Sequence, residues 1–162
     1  MAVQELSRLD EEERAENQPS ELDDLTHAEM RMLYAESVDV IRFAKAQQWK
    51  SLGAILVVFV ALMGLSQFAQ NNPLLINLTI AVSFLCSGGV IYAMALYQAW
   101  QNTERQKLRE ISLHFSSYAQ AVRAIKSRRE ANVHRYTLLA FMIVGVLMGN
   151  AILVLFVSPL YR

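Results

Sequence analysis

Two glutamate–histidine pairs stand four residues apart in the second half of this chain, Glu110–His114 and Glu130–His134. On a helix that spacing turns both members to one face. Carboxylate and imidazole together are donors for a divalent metal, so two such pairs could form two halves of a site. The third histidine, His27, is far away in sequence, and the chain has no His-x-x-x-His and one cysteine, Cys86. Hydrogen bonds along a helix surface account for both pairs, and the expectation is no metal and no cofactor. Cys86 cannot form an internal disulfide and lies in an apolar run, where it reads as a small packing residue. No nucleophile motif or phosphate loop appears in the charged parts of the chain, so an enzyme is not expected.

The elements that must carry these residues are set by the distribution of charge. The 162 residues balance 15 bases against 15 acids, yet 54% are hydrophobic. No charged residue occurs from Ser51 to Thr103 or from Tyr136 to Tyr161. A helix on a soluble domain needs a solvated face, whereas hydrocarbon excludes charge. The fold expected is an all-α integral membrane protein with three transmembrane helices, at about 52–69, 74–97 and 136–158. At 1.5 Å per residue the apolar stretches match a hydrocarbon core of about 30 Å. No Asp, Glu, Lys, Arg or His falls within a span, which argues against ion relays, pumps and voltage sensors.

Around the spans the chain divides as follows. Residues 1–24 form an acidic tail with no means of ordering itself, and no signal peptide is visible. Residues 25–50 read as an amphipathic helix beside the membrane, opened by a capping box at Thr26 and Glu29. Met30, Leu33, Tyr34, Ser37, Ile41 and Ala44 share one face of it, and the helix can run on into the first span. Residues 51–100 form a transmembrane hairpin, closed by the uncharged turn Gln70–Pro73. Residues 101–135 are a basic helical connection, residues 136–158 the third span, and residues 159–162 a short end. Between Val90 and Val144 there is no Gly or Pro, so the connection must reverse among good helix formers. One helix from Thr103 to Ser127 with a reversal near Arg128–Asn132 is the favoured arrangement, and Ser116–Ser117 is another candidate turning point.

Bases fix the orientation expected. Residues 101–136 carry eight, while the Gln70–Pro73 turn carries none. The positive-inside rule then puts the N-terminus and basic connection in the cytoplasm, and the turn and C-terminus outside. Trp49 and Lys50 sit where an interfacial anchor belongs, and Arg123, Lys126, Arg128 and Arg129 could meet anionic head groups. The loop lacks interleaved aromatics, so nucleic acid is not an expected partner.

Two contact surfaces are expected. Leu108, Ile111, Phe115, Tyr118, Val122 and Ile125 are spaced three and four apart, a short coiled-coil seam for the 25–48 helix of this chain or the same seam in a second copy, with lying flat on the bilayer as a third arrangement. Within the membrane, Ser83, Cys86, Ser87, Gly88 and Gly89 form a small-residue patch, and Gly145, Gly149 and Asn150 form a G-x-x-x-G followed by an amide. Small residues let helices approach, so this patch against that motif is the expected packing seam, of the bundle or of an oligomer. The order of a juxtamembrane helix, two tightly joined spans and a helical extension over residues 30–125 resembles that of small bacterial membrane effectors and accessory subunits. That likeness implies a bacterial inner-membrane location. The role expected is an accessory, assembly or scaffold subunit in contact with lipids and with other membrane subunits or itself. The alternative is a membrane-perturbing or pore-forming effector.

Overall fold

The structure, a computed structural model, describes residues 20, 22–68, 72–124 and 128–158, with backbone alone at 123–124 and 128–131. All regular structure among them is helical: α1 (Asp24–Phe68), α2 (Pro73–Leu113), α3 (Ser117–Ala124) and α4 (Arg128–Val157). Three of these helices are long and apolar enough to cross a membrane. Those three spans are the ones read from the charge-free runs.

The juxtamembrane helix and first span are one element of 45 residues, about 68 Å long. Its start departs from the expected capping box. Asp23 stands in the cap position, and its carboxylate accepts from the Thr26 backbone N–H at 3.3 Å. The Thr26 side chain first, and this backbone contact second, hold the Asp23 carboxyl below its ordinary pKa. α2 is opened by Asn72, whose side-chain oxygen accepts from the backbone N–H of Leu74 and Leu75 at 3.1 and 3.3 Å. Pro73 in the first helical position has no N–H to satisfy. Residues 69–71 of the expected turn lie outside the described residues.

Buried positions recur on α1 at Ser37, Ala44, Gln48, Ile55, Phe59 and Ser66, at intervals of seven and four. On α2 they fall at Ile76, Ser83, Ser87, Met94, Gln98, Gln101, Leu108 and Ser112, at intervals of seven, four and three. Seven and four together make an 11-residue repeat, about 3.67 residues per turn, which keeps one stripe of each helix on its neighbour over many turns. The two helices therefore stay in contact along the antiparallel hairpin, well beyond the apolar segments. α4 returns through Met142, Val146, Asn150, Leu153 and Val157 and completes a core with Ile55, Phe59, Ile76 and Met94. Val57, Val60, Leu85, Phe141 and Leu155 point outward. Outward apolar side chains are what a bilayer would cover. On the charged N-terminal part of α1, Tyr34, Ser37, Ile41 and Ala44 lie on the packed face as expected, but Leu33 is exposed.

The favoured single helix from Thr103 to Ser127 is interrupted. α2 ends at Leu113, and residues 128–132 are helical, so they do not form the reversal. The cause lies in side chains that serve the freed backbone groups. Ser116 caps α3, with its oxygen 3.5 Å from the Ala119 N–H. Gln120 donates to the carbonyls of Leu113 and Phe115 at 3.0 and 2.9 Å. Ser20 donates to the His114 carbonyl at 2.8 Å.

Candidate functional site

The polar side chains buried between these apolar helices form three levels, each built where helices meet. The innermost joins α2 to α4. Asn150 Nδ2 donates to Ser87 Oγ at 2.7 Å and lies 3.3 Å from Ser83 Oγ. The two hydroxyls donate to carbonyls of their own helix, Ile80 and Ser83, at 2.7 Å each. Every hydroxyl proton is therefore used, and the amide donates to oxygen lone pairs. Replacing Asn150 with Ala is expected to cost about 0.6–1.7 kcal/mol of stability in mild detergent, since both serines keep their bonds. An unfolding curve that does not move would show that the amide contributes nothing to the α2–α4 contact.

The glycines divide differently from the expected seam. A Cβ on Gly149 would lie 2.8 Å from Phe59 Cδ2, and one on Gly145 would lie 3.8 Å from Leu52 Cδ1. The G-x-x-x-G of α4 thus faces α1, and only the adjoining Asn150 faces the serines of α2. Gly88 and Gly89 have no atom within 4 Å of a Cβ position among the described residues, and both lie on the outer side of α2. They take no part in the packing among these helices because each stands one or two residues beyond Ser87, on the helix face turned away. Cys86 is half-buried.

The second level lies where the apolar segments end. Gln48 of α1 donates through Nε2 to the Met94 carbonyl of α2 at 3.0 Å, and its Oε1 accepts from Gln101 Nε2 at 3.0 Å. Gln98 Nε2 lies 3.3 Å from Asn102 Oδ1. Asn102 then reaches α4: its Nδ2 donates to the Tyr136 hydroxyl at 3.1 Å, and its Oδ1 accepts from the Arg135 guanidinium at 3.2 Å. Arg135 also meets Asn132. Arg105, one turn along α2 from Asn102, is half-buried, and its Nε is buried without a hydrogen-bond partner among the described residues. Burial holds its guanidinium below the ordinary arginine pKa, and the charge on Arg135 adds to the effect. The charged form persists regardless, because arginine does not deprotonate in proteins. Tyr97 and Trp100 form an edge-on pair at this level, with ring centroids 6.0 Å apart. Trp49 and Lys50 are exposed.

The third level fastens the bend after α2 onto the beginning of α1. The Phe115 ring lies 6.1 Å from His27 and 5.9 Å from Tyr34, tilted to both. Glu104 accepts from Lys107 Nζ at 2.7 Å and also faces Ser37. The Lys107 contact holds its carboxyl below the ordinary range, and Ser37 contributes in the same direction.

This bend splits the expected coiled-coil seam. Leu108 is buried and Ile111 and Phe115 are half-buried, all before α3 begins. Tyr118 and Val122 are exposed on α3, and Ile125 lies outside the described residues. The five described residues do not form one stripe, because α2 ends at Leu113. The same break parts Glu110 from His114, which sits past the helix end, and both are exposed. His134 is exposed too. Lys126 and the side chains of Arg123, Arg128, Arg129 and Glu130 lie outside the described residues.

Sequence reasoning did not single out Gln48, Gln98, Gln101, Asn102, Arg105, Arg135 or Tyr136 as a site. The available signal was amide clustering: three amides between residues 98 and 102, and Gln47-Gln48 just before Trp49, at the two membrane-proximal ends of one hairpin. In a comparison with protein-family models, curated proteins and solved structures, nothing matches this chain.

Proposed function

We propose that this protein is a non-catalytic membrane subunit, an accessory, assembly or scaffold component of a larger complex or homo-oligomer. The observation that carries this reading is the part of the α1–α2 hairpin that continues past the apolar segments. There α1 exposes Leu25, Met32 and Phe43, seven and eleven residues apart and hence on one face. The opposite face of the same helix packs on α2. A helix packed on one side, with three large apolar side chains set among the exposed Glu29, Glu36 and Asp39 on the other, is suited to receive a partner helix. The proposed setting is a bacterial inner membrane, with this hairpin end, its amphipathic layer and the N-terminus in the cytoplasm. Asn72 and the C-terminus would then lie outside, in keeping with the placement of bases.

The test is extraction of the full chain in mild detergent. Co-purifying membrane proteins in fixed stoichiometry, or a defined homo-oligomer, are expected, and the triple variant L25D/M32D/F43D should lose that association at unchanged helicity. A lone monomer from the unaltered chain would sink the reading. Exposed positions are the right ones to alter. Substituting Ile111 or Phe115 would disturb the chain's own packing. A cysteine placed at Asn72, with Cys86→Ser, should react with an impermeant thiol reagent from outside. Labelling from the cytoplasmic side alone would overturn the orientation.

A second reading, a membrane-perturbing oligomer, draws on Gly88 and Gly89. They leave an open, small-residue patch on the outward face of α2 at mid-span, where a second copy could approach closely. Large homo-oligomers together with depolarisation of expressing cells would favour it over a scaffold, whose expression should be harmless.

A further inference from the structure

We propose that Arg105 of α2 and Arg135 of α4, with Asn102 between them, bind the phosphodiester of an anionic lipid where the two helices leave the apolar layer. This rests on the membrane location and not on the scaffold role. Arg105 is the first base after the charge-free run that ends at Thr103, and Arg135 is the last residue before the run that begins at Tyr136. Two helices from distant parts of the chain thus bring cations to one place, at the depth expected of lipid phosphates. Trp100, exposed and edge-on to Tyr97, marks the same boundary.

The local chemistry asks for an anion. Like charges repel, and Arg105 forms no ion pair among the described residues. Its neighbour Glu104 does not help, being held by Lys107 and turned toward Ser37 of α1. Arg105 Nε is a donor removed from water with nothing to accept from it, which is costly unless an acceptor arrives. Asn102 fixes the second cation: its Oδ1 receives Arg135 while its Nδ2 donates to the Tyr136 hydroxyl. A phosphodiester supplies what is missing. It carries one negative charge and several acceptor oxygens, and guanidinium groups bind it through directed, charge-assisted bonds. Its acyl chains would lie along the outward apolar side chains of the spans.

The experiment uses the full chain in mild detergent, titrated with phosphatidylglycerol, phosphatidylcholine or inorganic phosphate. Bound lipid is counted by native mass spectrometry and thermal unfolding is followed in parallel. Phosphatidylglycerol should bind more tightly than phosphatidylcholine. Arg105→Gln should weaken phosphatidylglycerol by about fivefold and leave phosphatidylcholine unchanged, on the scale expected for one base at a membrane surface. Arg105→Lys keeps the charge, removes the Nε donor and should recover part of the loss. Lys45→Gln, at an exposed base elsewhere, should leave the preference intact. If R105Q does not fold, R135Q carries the same expectation. Equal retention of phosphatidylglycerol by the unaltered chain and the folded arginine variant would overturn the proposal. So would an equal loss in K45Q, which would mean diffuse attraction without a site. Stabilisation by inorganic phosphate matching that by phosphatidylglycerol would also overturn it, assigning the pair to a free anion.

Discussion

Substituting Gly149 with Val is expected to destabilise the protein by about 1–3 kcal/mol, whereas the same change at Gly88 is expected to be nearly neutral. The difference lies in what each glycine faces. A Cβ at Gly149 would stand 2.8 and 2.9 Å from two ring carbons of Phe59 and 3.4 Å from Leu56 Cδ2. Phe59 is itself 2% exposed, enclosed among Ile55, Val146 and Leu153, so its ring has little room to retreat. Because lipid tails are as apolar as these side chains, close fit is what draws α4 onto α1 in a bilayer, and a forced separation forfeits it. Gly88 meets nothing within 4 Å. Thermal or denaturant unfolding in one detergent compares the two variants directly. Phe59→Leu in the Gly149→Val background should recover part of the loss, since it removes ring atoms that clash. Equal losses at Gly88 and Gly149 would show that the α1–α4 contact is not where the structure places it. Such a result would instead point to a contact through the outward patch.

Gln48→Leu is expected to cost about 1–3 kcal/mol, chiefly through the groups it leaves behind. Gln48 and Gln101 are 4% and 3% exposed. Removing the Gln48 amide takes the acceptor from Gln101 Nε2 and a donor from the Met94 carbonyl. The shape of leucine is close enough to fill the space, so cavity formation contributes little and the unpaired Gln101 amide dominates. The double variant Gln48→Leu, Gln101→Leu should therefore be more stable than the single Gln48→Leu. Two apolar groups packed together leave less polarity unserved than one amide facing a leucine. Additive losses in the two single variants would show that the amides do not act as a pair.

Both predictions turn on residues whose types were visible but whose partners were not. Gly149 stood out in the sequence through G-x-x-x-G spacing, which says that a helix approaches closely but not which helix. Gln48 did not stand out at all. A glutamine beside a membrane reads as solvated until a second glutamine, 53 residues further along, is found across from it. Asn150 lies between these cases: its pairing with the serines was an expectation from small-residue patches, and its hydrogen bonds to Ser83 and Ser87 emerged with the fold. The bend at residues 114–116 shows the opposite failure. Spacing of three and four from Leu108 to Ile125 looked continuous because periodicity counts apolar residues. It does not register that Ser20, Ser116 and Gln120 can satisfy an interrupted backbone.

By itself the sequence determined that the chain is helical, and it located the three apolar helices. Those properties follow from exclusion of charge over runs of 53 and 26 residues, and exclusion needs no partner to be legible. Only the tertiary structure decided which glycines are contacts, where the polar levels lie and that two arginines 30 positions apart stand beside one small amide. Those are properties of register between helices. Register is fixed by the summed fit of side chains along whole interfaces, and no single stretch of sequence carries it.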